Sequence, residues 1–354
     1  DFGVNVDSLS YLNLDGTTVD LVGVQMDNTT GSGNLKFDLD DGNVTQDDDS
    51  PVIVTGLTTF DTGNNGTVHL PFADTIPGLE LVNENDFNTV AVDNALTVEF
   101  NDINTVTLVG VFTNSNLAVT SDTADIVVDG NLNVGNTVRF EALAGLMQNS
   151  GVIDSTNLLL FGEGYFDLSS VNDLGNGTDG FVAADVNGDV NLVNGNAIRV
   201  AAIGYNDLGG NFTSATGVGA TGTGTLEQLR LVGEGIRLHQ RIITNNLVLE
   251  TTAGVSQFDT VTTDGLIETA NFSLSGSGFA DLTEANLIGN LFASGDVAID
   301  FDGDVRLRSL FGIDFDTVTF TFQDATTRDD SGVRIGAEGG QAGNLELTTG
   351  GDIT

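Results

Sequence analysis

The feature that most constrains this chain is a short alternating segment that returns with a steady phase. Asn246-Leu-Val-Leu-Glu250, Asn271-Phe-Ser-Leu-Ser275, Asp296-Val-Ala-Ile-Asp300, Thr317-Val-Thr-Phe-Thr-Phe322 and Asn344-Leu-Glu-Leu-Thr348 start 25, 25, 21 and 27 residues apart. Earlier members are Asn116-Leu-Ala-Val119, Asn131-Leu-Asn-Val134, Asn157-Leu-Leu-Leu-Phe161 and Val190-Asn-Leu-Val193. Further strands such as Asp304-Val-Arg-Leu-Arg308 fit between the anchors. Period-two alternation buries one face of a strand, and a repeat in the twenties is the mark of a solenoid. The spacing predicts an all-β chain, a right-handed parallel β-helix (β-solenoid) with about 25 residues per coil, running through 1–354 as one body. Coils stacked about 4.8 Å apart would number on the order of 14 and span roughly 65–70 Å. A two-sheet sandwich competes, but it calls for hairpin turns every 8–12 residues or so.

Composition supports strands over helices. The 354 residues include 39 Asp and 12 Glu against nine Arg and one Lys, for a formal charge of −41. Asp favours turns where Glu favours helices, so this ratio fits a chain of many turns. There is no Cys and no Trp, and 21 residues are Phe. Disulfide scaffolds, thiolate metal sites and cysteine nucleophiles are thereby excluded. The acidity removes general affinity for nucleic acid or anionic membranes, and no apolar run of about 18 residues offers insertion into a bilayer as a helix.

The phase weakens in two places. Residues 46–100 hold Pro51, Pro71, Pro77 and the Asp47-Asp48-Asp49 run, and read as irregular coils or an insertion. Residues 209–225 are rich in Gly and Thr and read as a surface loop. Asp1-Phe-Gly-Val lacks the basic and apolar pattern of a signal peptide. The chain stops at Gly350-Gly-Asp-Ile-Thr354, amid an apparent repeat, so the expectation is a segment of a longer protein or an end covered by neighbouring copies.

Asn344-Leu-Glu-Leu-Thr-Thr-Gly-Gly-Asp-Ile-Thr354 resembles the repeats of filamentous-haemagglutinin-type bacterial exoproteins, and residues 286–305 have the same character. The resemblance covers residues 116–354. It implies a secreted β-helix of a surface fibre or adhesin. This chain departs from that pattern in its acidity and in lacking a recognisable secretion domain.

Several residue groups could carry chemistry. Asp300, Asp302 and Asp304 flank Gly303, Asp185, Asn187 and Asp189 flank Gly188, and Asp38-Leu-Asp40-Asp41-Gly-Asn43 is similar. Oxygen ligands around a Gly turn suit Ca²⁺, although the EF-hand pattern fails because Val190 and Asn196 stand where Gly and Glu belong. The alternative is an acidic corner between strands. His69 and His239 fall on the polar phase and read as exposed single histidines. Gly217-Val-Gly-Ala-Thr-Gly222 matches a dinucleotide fingerprint without the strand–helix unit that gives it meaning.

The bases cluster late. Residues 1–177 carry 27 acids and two bases, and residues 178–354 carry 24 acids and eight bases. Arg237 and Arg241 are the candidates for docking onto an acidic face of another copy, the alternative being local ion pairs. Together these readings predict an extracellular, cell-surface structural or adhesive protein without catalytic activity. Self-association, end to end or lateral, or binding to surface proteins or glycans would be its mode of action. A halophilic surface-layer protein is a second structural candidate. The alternative from another class is a carbohydrate-active enzyme, for which Tyr11, Tyr165 and Tyr205 are the only large amphipathic aromatics.

Overall fold

A computed structural model describes residues 8–13, 18–21, 24–26, 33–46, 51–71, 85–220, 224–258, 265–290, 293–322, 325–336 and 343–354. The Asp47–Asp49 run and Pro77 lie outside the described residues. Strand accounts for 75% of the described residues, and no helix forms among them. The all-β expectation thus holds.

The solenoid expectation does not. The main sheet closes into a seven-stranded parallel barrel with extra strands outside it. The physical reason lies in strand length. Solenoid coils require two or three short strands separated by corners, yet Asp86–Asp102 runs 17 residues, Val106–Ser121 runs 16 and Ile267–Asn290 runs 24. Gly110 and Asn114 sit inside the strand Val106–Ser121. One long strand therefore pairs with several partners. Val106–Ser121 lies beside Asp86–Asp102 and also takes Asp125–Asp129, Leu132–Val134 and Thr137–Ala142 in parallel.

Two compact units result. The first comprises residues 1–156, 160–163 and 205–213; the second comprises 157–159, 164–204 and 214–354. In the first, Phe37, Phe60, Val92, Val111, Leu132 and Ile153 occupy successive register positions, all buried. The Phe37 and Phe60 rings stack at 5.5 Å. In the second, Leu192, Leu231, Leu249, Leu274 and Ile299 do the same. Leaving water is worth about 1.5–3 kcal/mol for each such side chain, so these ladders dominate the stability of each unit.

Within the second unit, Ile267–Asn290 and Ala293–Ser309 meet in an antiparallel hairpin end, Gly289 opposite Ser294 and Asn290 opposite Ala293. Before that end, Phe272 to Leu282 lie in step with Val297 to Leu307. Part of the stretch read as a loop, 209–225, is strand. Val218–Gly219 is a strand beside Ala184 and Asp185, with Val218 buried, and Phe212–Thr216 is a strand as well.

Two glycines are set by backbone crowding. Gly303 has φ 147° and Gly188 has φ 145°. A Cβ on Gly303 would strike the Gly278 carbonyl oxygen, and one on Gly188 the Gly164 carbonyl oxygen. These are the central glycines of two of the predicted calcium motifs. Close approach of the neighbouring strand accounts for both without a cation.

Candidate functional site

The site in the first unit begins with strand register. Thr67–Leu70, Asp86–Asp102, Val106–Ser121 and Thr137–Ala142 bring His69, Glu99, Ala118 and Arg139 into one row. Their neighbours Leu70, Phe100, Val119 and Phe140 are buried, so the row itself faces outward by alternation. Asn101, Thr120 and Glu141 form the next outward row. Ala118 is the one small side chain between Glu99 and Arg139, and it leaves a hollow.

Residues 205–213 roof that hollow. The Tyr205 hydroxyl and the Leu208 backbone N–H donate to the two carboxylate oxygens of Glu99, the latter at 2.7 Å. Glu99 is only 5% exposed, and Tyr205 is 4% exposed. His69 Nδ1 lies 3.3 Å from Glu99 Oε2. Asp207 accepts from the Asn211 backbone N–H at 2.6 Å and from its side-chain amide at 3.0 Å, which holds the turn of the roof closed. Burial raises the Tyr205 hydroxyl, and the Glu99 bond and charge push it the same way, so the phenol stays protonated. Arg139 pairs with Glu141 and lies over the Phe161 ring at 5.4 Å. The space between them is a half-open cavity of about 360 Å³. A carboxylate, an imidazole and a phenol this close could position hydroxyl groups or pass a proton among themselves.

The sequence placed His69 on the outer phase, which agrees with its row. It is half-buried rather than exposed, because the roof comes from far along the chain. Glu99 was missed among 51 acids. The alternation of Val98-Glu99-Phe100 signals only an outward carboxylate, and nothing local signals its burial.

The second unit carries a different arrangement. Phe181, Arg199, Arg237, Ser256, Asp281, Arg306 and Glu346 follow one another in register across the sheet. Asp179 accepts from both Arg199, at 2.6 Å, and Arg237. Burial pulls Asp179 upward, but the two guanidiniums outweigh it and hold the carboxyl below its ordinary range. His239 stacks on Phe258 at 4.4 Å, and burial, with Arg199 beside it, lowers its basicity. Arg241 pairs with Glu268. Both predicted assembly arginines are thus in local ion pairs, although each keeps over 40% of its side chain exposed.

Glu250 ties down the strands Thr317–Thr321 and Thr327–Ser331, which pair antiparallel. It accepts from Arg230 at 2.5 Å and from Arg328, and Arg328 reaches Asp330 at 2.9 Å.

The predicted calcium ligands are not brought together. Asp300 pairs with Arg334, and Asp304 accepts from the Asn344 backbone and side-chain amides at 2.8 and 3.0 Å. Asp302 is exposed on the same strand. Asn187 accepts from the Thr225 N–H at 3.0 Å, and Asp189 from Gln228 at 3.2 Å. Asp185 lies two positions before Asn187 on that strand. Near Asp38 and Asp40, Asp41 accepts from the Asn65 backbone and side-chain amides. Among the described residues, no three carboxylates or histidines converge to hold a metal.

Comparison with known families, curated proteins and solved structures gives no match, so the site is read from its own geometry.

Proposed function

We propose that this is an extracellular structural or adhesive protein without catalytic activity. The observation that carries the reading is the in-register stacking of buried apolar side chains across many strands, as in Leu192, Leu231, Leu249, Leu274 and Ile299. Such ladders make a stiff scaffold in a chain with no cysteine to cross-link it. The resemblance of Asn344–Thr354 to exoprotein repeats supports a cell-surface address. A charge of −41 keeps copies apart at low salt and draws divalent cations, so Ca²⁺ would bridge acidic faces rather than fill a preformed cage. Arg237 and Arg241 retain enough exposure to exchange Asp179 and Glu268 for carboxylates of a second copy.

Electron microscopy and sedimentation in Ca²⁺ and in EDTA test this reading. Assemblies in Ca²⁺ that EDTA disperses are expected; single particles in both buffers would remove the self-association. A carbohydrate-active enzyme is the second reading, favoured by the meeting of His69, Glu99 and Tyr205 in one cavity. Release of reducing ends from any of a set of polysaccharides would put it first.

A further inference from the structure

We infer that the cavity roofed by residues 205–213 is a binding site for a neutral, hydroxyl-rich ligand of the size of a mono- or disaccharide. The inference deepens the adhesive reading and rests on it for biological meaning, though the site is argued from its own chemistry.

Size comes first. A cavity of about 360 Å³ falls within the range of roughly 300–1,000 Å³ typical of small-molecule sites. It exists because Ala118 interrupts a row of long side chains and because Glu99 fastens the roof above it. A nine-tenths buried carboxylate with both oxygens bonded is a built feature, costly unless paired, and it fixes one wall.

Charge then narrows the ligand. Glu99, Asp122, Glu141 and Asp207 line the cavity with a single guanidinium, Arg139. An anion would meet these acids within a chain of −41. A cation fares little better, since the acids are already spent. Glu99 serves Tyr205 and Leu208, Glu141 serves Arg139, and Asp207 serves Asn211. Burial, with Glu141 nearby, pushes Asp122 toward its neutral form.

Unmet valences point to hydroxyls. Arg139 Nε and the Thr213 hydroxyl are buried in the wall without a hydrogen-bond partner, and His69 Nδ1 has only its 3.3 Å approach to Glu99 Oε2. They comprise an imidazole nitrogen, an obligatory donor and a group that both donates and accepts. A cation can satisfy only acceptors and an anion only donors, whereas a hydroxyl satisfies either. These atoms are closed to bulk water, so a ligand reaches them through a turn of the side chain that carries each one.

Calorimetry of the whole chain with maltose, cellobiose and lactose tests the site, with digalacturonate as the anionic probe and glucosamine dimer as the cationic one. At least one neutral disaccharide is expected to bind, and neither charged probe to bind better. Ala118→Phe fills the hollow and should weaken binding at least tenfold. Thr213→Val removes a hydroxyl that bonds to nothing within the protein, so folding should be untouched while affinity falls about three- to tenfold. No binding by any neutral probe, preference for a charged probe, or binding indifferent to both variants would overturn the proposal. Loss of disaccharide binding in Ala118→Phe with Ca²⁺-dependent assembly intact separates the site from the structural reading. Turnover of a bound disaccharide would sink the non-catalytic reading and leave the site standing.

Discussion

The outward rows of the two units use the same strand register to different ends. In the first unit, the row His69, Glu99, Ala118, Arg139 is covered by residues 205–213, and its carboxylate is nearly fully buried. In the second, the row Phe181, Arg199, Arg237, Ser256, Asp281, Arg306 lies against solvent, and Arg237 is 44% exposed beside Asp179. Each row engages an acid with two donors, Glu99 within the first and Asp179 beside the second. Glu99 receives a phenol and a backbone N–H, whereas Asp179 receives two guanidiniums. The difference teaches that a roof, more than a set of residue types, turns an ionic surface into a site. Water screens the open pair and leaves the covered one strong.

That contrast can be broken most directly at Glu99. Glu99→Leu strands the Tyr205 hydroxyl and the Leu208 N–H, and should cost about 2–4 kcal/mol in urea unfolding. Cleavage within residues 205–213 by a nonspecific protease should accelerate in parallel. Tyr205→Phe removes one of the two bonds, and about 1–2 kcal/mol is the expected loss. If the two variants proved equal, the Leu208 bond would have no role in holding the roof.

A titration sharpens the same point. Asp102 accepts from the Phe87 and Asn104 backbone N–H groups at 2.5 and 2.8 Å, yet burial outweighs these bonds and pushes its carboxyl up to about 8. The folded state therefore keeps a proton that the unfolded chain releases near pH 4. Stability should fall as pH rises from about 4 through 8 and then level off. Melting temperatures of Asp102→Asn should show a shallower slope across that window. A wild-type melting temperature that climbs from pH 5 to 8 would contradict the burial argument, provided Asp102→Asn removes the climb.

The open row should be the most forgiving. Asp179→Asn loses its charge attraction to Arg199 and Arg237, but both guanidiniums reach solvent, which screens them, so about 1 kcal/mol is expected. Arg237→Glu with Arg241→Glu should leave the monomer folded and slow Ca²⁺-dependent assembly. Unchanged sedimentation would remove both arginines from any interface.

These particulars show what the sequence can and cannot display. Alternation marks Leu249, Leu274 and Ile299 as inward and His69 as outward, and all four obey it. Closure of the sheet escapes such reasoning, because Val106–Ser121 takes four partners, from Asp86–Asp102 to Thr137–Ala142. Pairing decides that, and pairing is non-local. Gly303 and Gly188 looked like turns of a calcium loop; a neighbouring carbonyl, invisible in sequence, is what demands glycine. Glu99 and Tyr205 are 106 residues apart, so no spacing rule could join them. Arg237 and Arg241 stood out as bases in an acidic chain, but their acids Asp179 and Glu268 lie 58 and 27 residues away.

Amide hydrogen exchange across residues 205–213 tests the roofed site most directly. The Leu208 N–H, bonded to a buried carboxylate, should exchange slowly in the native chain and rapidly in Glu99→Leu, while strands Leu226–Gly233 and Ile242–Thr251 exchange alike in both. Rapid exchange at Leu208 in the native chain would mean that the roof is not fastened, and the covered cavity would go with it.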